Sequence, residues 1–524
     1  MRKINLNLSI YSISLFLVVF IGIFLRVFAY HHLGYNVIGD ECHSIYGSIL
    51  PIKDLFTNFI QGTNFLPLYR CLLAFLYNIA GINWPLFKLP SIIASILSIF
   101  FFYKILNKVF QNKALILGSL ALFCLNYTLI HFSMRIKPYS IDILFVLMIL
   151  YFSICLFDYL KEKNLSLGKT IIYAISSVLM VFTSIPAIMY IQISWFGFFI
   201  KSLFEKKYKD VLNLLIFQII VGGSILCEYF IYISKMQGDN GLKEQWLNDG
   251  YYFAPDSFAA LNSLVHFSFF KFEFFDMNLY YTLPNYILGI ILILFIIGSL
   301  KFLMNREKFN DSVFLFYLFV VPILFLVGLS FLQMYPFCNR VIVFLIPVFI
   351  VCILNAFLFD KNKLLKIFGG LAFAIFISCM FFYMFKIGEL KYLLTDNEQY
   401  GMVRKEIEFI ENINAKEEII LSNERLCAYC INNKNILILT DEYFVENGEI
   451  NYFDKRDDQN KITTNIAEMI SDYNKIYFFN NVDDYEGLAN KYILNELKHL
   501  NYKETINTKE NNGLFACSVM EKEK

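Results

Sequence analysis

Eleven apolar runs set the class of this chain before any other feature is read. They fall at 8–30, 86–106, 114–131, 139–160, 170–185, 187–204, 211–234, 284–304, 312–332, 340–359 and 367–387. A helix needs about 20 apolar residues to cross the hydrocarbon of a bilayer. Inside lipid, backbone N–H and C=O groups are satisfied only within helices or closed barrels. The runs therefore predict a polytopic α-helical membrane protein with about 11 transmembrane helices. Composition agrees: 17% of residues are charged and 57% hydrophobic, where a soluble globular chain averages about 25% charged. That balance excludes a soluble enzyme, a disordered protein and a collagen-like fibre. The 58 Phe and 34 Tyr read as lipid-facing packing rather than a cofactor box.

Orientation follows from the basic residues. The first run comes after Met1-Arg2-Lys3 and ends at Tyr30-His31-His32, without the small residues of a cleavage site. It reads as an anchored span with the N-terminus in the cytoplasm. The segment 66–81 is apolar but short, with Pro67 and Arg70 near its start. If it does not cross, 18 basic residues gather on short cytoplasmic loops, among them Lys104, Lys161, Lys163, Lys169, Lys201, Lys209 and Lys301. The positive-inside rule favours that choice. The segment then forms a surface helix within a first external loop, 31–85. The loops 132–138, 235–283 and 333–339 and the chain after 387 fall on the same outer side. No inverted repeat with matched broken helices, the usual transporter signature, is evident.

The chain divides into a membrane part, 1–387, and a tail, 388–524. The tail holds 16 Lys/Arg against 26 Asp/Glu, leaving 29 against 18 for the rest. Strand-like patterns at 418–421, 436–440 and 475–479 alternate with helical ones at 400–413, 462–473 and 485–497, which predicts a small extracytoplasmic α/β domain. It has no Gly-rich phosphate fingerprint. Cys427 and Cys430 could join Cys517 in a disulfide; a zinc site needs four ligands, and only Cys517 and His499 remain in the tail to complete one, so helix packing is the plainer reading. Neither part has the basic, aromatic-interleaved pattern of a nucleic-acid groove.

Charges close to a membrane are costly and point to function. The outer side collects Gly39-Asp40-Glu41, then Arg135 and Lys137 in the stretch His131 to Asp142, then Tyr335 to Arg340. Pro138 suits the first turn of a helix, where its missing N–H would have no partner anyway. The spans beginning at 139 and 340 thus present N-termini there, with partial positive charge and free N–H donors. Lys137, Arg135 and Arg340 add to that field, which suits a lipid phosphate. A carboxylate near an acceptor hydroxyl can take its proton while fixed cations stabilise the departing phosphate. Asp40 is the expected base, with Glu41 orienting it, binding sugar hydroxyls or holding a metal. Plainer readings stand beside these. Lys137 and Arg340 could snorkel to headgroups, Asp142 could pair with Lys137 as structural glue, and Arg26 could snorkel or bind phosphate. His43 could help bind a metal or the acceptor, though such spacing arises often by chance.

In order along the chain, these motifs resemble the GT-C membrane glycosyltransferases, specifically the protein O-mannosyltransferases and the lipid A aminoarabinose transferases (the ArnT type). Gly39-Asp40-Glu41 is similar to that family's acidic pair in the first external loop. Phe65-Leu66-Pro67-Leu68-Tyr69 and Lys88-Leu89-Pro90-Ser91 resemble the openings of its surface helix and second span. Lys137-Pro138-Tyr139-Ser140 resembles its basic-Pro-Tyr motif, which adds Tyr139 to the donor phosphate site. Tyr335-Pro336-Phe337, Arg340 and Pro347 resemble a later Tyr-Pro…Arg…Pro pattern. The resemblance covers about 10–360 and implies a GT-C fold. It implies an inverting transferase that moves sugar from a polyprenyl-phosphate carrier to an extracytoplasmic acceptor in the cell envelope. Three departures matter: Arg135 stands where many relatives have Glu, Lys137 where Arg is common, and Thr183-Ser184-Ile185-Pro186 lacks a His. They weaken the case for a second acidic ligand and hence for a divalent metal, which stays an open alternative; no other cofactor is called for.

The partners expected are the lipid-linked donor, the bilayer and the acceptor, with no nucleic acid, in a multi-pass protein of the plasma or inner membrane. The rival readings are a flippase for lipid-linked sugars and a non-catalytic scaffold whose tail binds partners.

Overall fold

Each apolar run becomes a helix or a pair of helices, but not all are long. A computed structural model of the chain describes residues 10–33, 66–81, 83–234, 285–304, 309–337, 339–357 and 369–378. It also gives the backbone of seven strands between 418 and 522, and isolated positions such as Glu41. Six helices are long and apolar enough to cross a membrane: Ile10–His31, Trp84–Val109, Tyr139–Glu162, Ile185–Phe204, Tyr208–Ile233 and Asp311–Phe331. The other five expected runs hold shorter apolar helices, at Lys113–Cys124, Leu167–Val181, Gly289–Leu303, Arg340–Asn355 and Gly369–Ser378.

The helices are α1 Ile10–Leu33, α2 Pro67–Ala80, α3 Trp84–Val109, α4 Lys113–Cys124, α5 Tyr127–Phe132, α6 Tyr139–Glu162, α7 Leu167–Val181, α8 Ile185–Phe204, α9 Tyr208–Glu228, α10 Asn285–Met304, α11 Phe309–Phe331 and α12 Ile346–Asn355. Two of the runs are short for local reasons. The run 114–131 breaks at Leu125 because Asn126 opens a new helix, its Oδ1 accepting from the Leu129 N–H at 2.9 Å. Such a cap satisfies a donor that the first turn leaves orphaned. The run 340–359 begins as a 3₁₀ turn, Asn339–Leu345, before α12. Helix α9 ends in a π-helical turn, Tyr229–Ile233.

The chain forms two compact units. The first comprises Met1–Gly34, Phe56–Tyr69 and Lys88–Leu394; the second comprises Tyr35–Leu55, Arg70–Phe87 and Thr395–Lys524. In the first, α12 is buried along its whole length and packs against α10 and α11. The approach to α10 is close enough to require glycine: a Cβ on Gly298 would lie 1.8 Å from the Cys352 carbonyl oxygen. The Asn355 side chain donates to the Gly298 carbonyl at 2.7 Å and Lys301 donates to that of Ala356, so polar groups at this crossing are paired as apolar surroundings demand. Helix α1 turns outward a ladder of Phe16, Phe20, Phe24 and Phe28, all exposed and four residues apart on one face.

In the second unit Glu41, Ser44, Ile45 and Ser48 are helical and buried. The tail's strands are β1 Glu418–Ser422, β2 Ile436–Leu439, β3 Tyr443–Glu446, β4 Glu449–Tyr452, β5 Lys475–Asn480, β6 Tyr502–Lys509 and β7 Ala516–Lys522. They make one sheet in the order β4-β3-β2-β1-β5-β7-β6. Strand β1 pairs in parallel with β2 and β5, and the remaining pairs are antiparallel. The three expected strands are present as β1, β2 and β5; the expected helices at 400–413, 462–473 and 485–497 and the Cys427 and Cys430 pair lie outside the described residues.

Candidate functional site

Helix α6 begins where Pro138 acts as the residue before its first turn, with φ of −73°, the value its ring imposes. The Asp142 N–H closes onto the Pro138 carbonyl at 2.8 Å. Upstream, the chain leaves α5 through a tight turn, 133–138, that is buried throughout. Three hydroxyls hold it. Ser91 on α3 donates to the carbonyls of Arg135 at 2.7 Å and Lys137 at 3.2 Å. Ser140 donates to the Phe132 carbonyl at 3.0 Å, and Ser133 to that of Ile130 at 2.6 Å. Ring contacts between Phe132 and Tyr139, 4.8 Å between centroids, close the turn from the other side.

This scaffold buries basic groups together. Arg135 is 4% exposed, Lys137 5%, His131 6% and Lys88 2%. The charges of Arg135 and Lys88 lie close enough to act on the His131 ring. Burying the like charges of Lys88, Arg135 and Lys137 in one place costs several kcal/mol by desolvation alone. Lys88 and His131 are not among the site residues that the sequence singles out. The signal for Lys88 was present: a lysine three residues before Ser91, at the start of an apolar run.

Asp142 is buried on the first turn of α6 and takes a hydrogen bond from Ser184. Ser184 also caps α8, accepting from the Ala187 N–H at 3.2 Å. The expected pairing of Asp142 with Lys137 is therefore not what holds this carboxylate. Its charge instead reaches Tyr335, as does Tyr139, and burial beside them pushes the Tyr335 phenol well above its ordinary range. Tyr335 donates to the Val341 carbonyl at 2.9 Å, tying its loop to the 3₁₀ turn that carries the half-buried Arg340. That turn packs on α6. So Arg135, Lys137, Tyr139 and Asp142 share one end of the helical unit with Tyr335.

Arg26 neither snorkels nor stands apart. It is fully buried, its Nε donating to Ser95 Oγ at 2.7 Å and its Nη1 to the carbonyls of Gly22 and Cys124, each at 2.9 Å. The Cys124 carbonyl is left over at the end of α4, and Arg26 supplies its donor while pinning α1 to α3. Glu41 is buried within the second unit. Asp40 and His43 lie outside the described residues. Among the described residues, no group of three His, Cys, Asp or Glu side chains is placed to hold a metal ion.

No protein family model and no curated protein matches the chain. The solved structures similar to it include two membrane transferases. One is the archaeal oligosaccharyltransferase AglB from Archaeoglobus fulgidus, in complex with an inhibitory peptide and a dolichol-phosphate, at 12% identity and a TM-score of 0.48 over 97% of this chain and 74% of that one. The other is ArnT from Cupriavidus metallidurans bound to undecaprenyl phosphate, at 10% identity and a TM-score of 0.49 over 96% of this chain and 98% of that one.

Proposed function

We propose that the chain is an integral membrane glycosyltransferase that moves a sugar from a polyprenyl-phosphate carrier to an acceptor on the outer side, inverting the anomeric centre. The observation that carries this reading is the buried basic cluster of Lys88, Arg135 and Lys137 at the start of α6. Cations desolvated at a helix N-terminus form a strong anion site, and a lipid phosphate brings an anion to that depth. The acceptor hydroxyl attacks the anomeric carbon, its proton passes to Asp40 with Glu41 alongside, and the sugar–phosphate bond breaks. The charge left on the phosphate is met by Lys137, Arg135 and Arg340, with Tyr139 donating its hydroxyl. Such fixed donors gain value because the site excludes water.

The test is transfer of labelled sugar from synthetic polyprenyl-phosphate donors in proteoliposomes. Asp40→Asn is expected to abolish transfer while insertion and expression stay normal. Full activity in that variant would reject the base. Transport of the donor without a new glycosidic bond would reject the reaction in favour of a flippase.

A further inference from the structure

The opposite end of the helical unit carries a second feature. Helices α6, α7, α8 and α9 line a half-open cavity of about 110 Å³. It runs from Leu165, Thr170 and Leu214 to Ile149, Met180 and Ile191, about 15 Å at 1.5 Å per residue along α7. Its walls are mainly carbon, from Leu156, Trp195 and Phe198 among others. The faces around it look outward: Ile172, Ile175 and Leu179 on α7 and Leu212, Leu215 and Ile219 on α9 are all exposed. In a bilayer such faces meet lipid, so a chain reaching the cavity comes from lipid. An apolar cavity of roughly 150 Å³ takes a benzene-sized guest, so this one has room for a stretch of alkyl chain.

Lysines surround the end where the cavity meets Leu165. The stretches 161–169 and 201–210 hold seven lysines against Glu162, Glu205 and Asp210. Two of those acids are committed: Glu205 pairs with Lys201 and Lys207 at 2.9 Å each, and buried Asp210 accepts from the Leu165 N–H at 2.7 Å. Lys169 lies 3.7 Å over the Tyr159 ring. Lys163, Lys206 and Lys209 are exposed, with no ion pair among the described residues. A negative headgroup above an apolar slot satisfies both features, as basic pockets between membrane helices do for anionic lipids.

We propose that an anionic phospholipid binds here, its headgroup on Lys163, Lys206 and Lys209 and one acyl chain in the slot between α6, α7, α8 and α9. Trp195 makes this measurable, because it lines the slot with its Nε1 donating to the Leu214 carbonyl at 2.9 Å. The full chain is purified in a neutral detergent and titrated with phosphatidylglycerol or phosphatidylcholine carrying brominated acyl chains, which quench nearby indoles. Phosphatidylglycerol is expected to quench at about tenfold lower concentration, the effect of about two lysines near a lipid phosphate. Trp195→Phe should remove that selective component, leaving only the response of Trp84 and Trp246. Ser177→Phe, which fills the slot, should weaken quenching by both lipids. Lys163→Glu with Lys209→Glu, at exposed positions that do not endanger folding, should bring the two lipids to within about twofold. Equal quenching by both lipids in the unaltered chain would overturn the proposal. So would unchanged quenching in Ser177→Phe, or displacement of phosphatidylglycerol by an equal concentration of polyprenyl phosphate, which would give the slot to the donor's tail.

Discussion

Helix α6 carries basic residues at both ends, in opposite circumstances. Lys161 and Lys163 stand at its C-terminus, where the helix is partially negative and cations belong. Lys161 is exposed and pairs with Asp158 at 3.2 Å and Asp311 at 2.7 Å. Arg135 and Lys137 stand before its N-terminus, where the helix is partially positive, and both are buried. Lys88 and His131 are buried with them. One end is arranged to settle a helix in a membrane. At the other the helix dipole, the lysine and the arginine stand together in buried surroundings, an arrangement that favours negative charge. Counting lysines does not separate these ends; burial and helix polarity do.

The strongest way to break the comparison is to remove one lysine from each end. Lys137→Ala is expected to lower kcat/KM for transfer by about 100- to 1,000-fold, the usual loss for one fixed donor to a developing anion. Lys161→Ala should change it less than about twofold, as for a surface pair. Similar losses in both variants, measured in the same proteoliposomes, would erase the distinction. A smaller effect tests how the buried end is held. Ser91→Ala leaves two carbonyls of the 133–138 turn without their donor, so a stability loss of about 1 kcal/mol is expected. The turn should loosen as well, with donor KM rising about tenfold while thermal stability falls only slightly; a KM equal to that of the unaltered chain would mean that Ser91 does not position Arg135 and Lys137.

How far these features could be read in advance depended on their physics. Apolar length is local, so each of the eleven runs and the segment 66–81 holds a described helix. The interruptions were not legible, because the break at Leu125 depends on the cap that Asn126 makes and the 3₁₀ start at Asn339 on packing against α6. In the tail, β1, β2 and β5 are apolar runs and were legible. The β3–β4 pair was missed although Glu446 pairs with Glu449 across Asn447-Gly448, the strongest short hairpin signal. Strand β6, Tyr-Lys-Glu-Thr-Ile-Asn-Thr-Lys, is too polar to announce itself. At the site, Arg135, Lys137 and Asp142 were chosen by sequence proximity. Lys88, Ser91 and Ser184 were not, because only folding brings α3 and the start of α8 to that turn. A lone arginine near a helix end, as Arg26 is, looks the same in sequence whether it reaches headgroups or a broken helix's carbonyl.

The smallest expected effect sharpens the exposed end. Lys108 and Asp158 form a bridge at 3.0 Å with side chains 41% and 45% exposed. Hydrogen bonding to Lys108 and Lys161 makes this look like a network, and such bonds usually invite a claim of stability. Exposure argues otherwise: water screens the pair, and ordering two long side chains costs entropy, so surface bridges contribute about 0–1 kcal/mol. Lys108→Ala should therefore move the midpoint of thermal unfolding by no more than about 2 °C, and transfer activity should be unchanged. A shift several times larger would mean that this end of α6 is desolvated in the bilayer after all. The contrast between its two ends would then lie in the sign of the helix terminus alone.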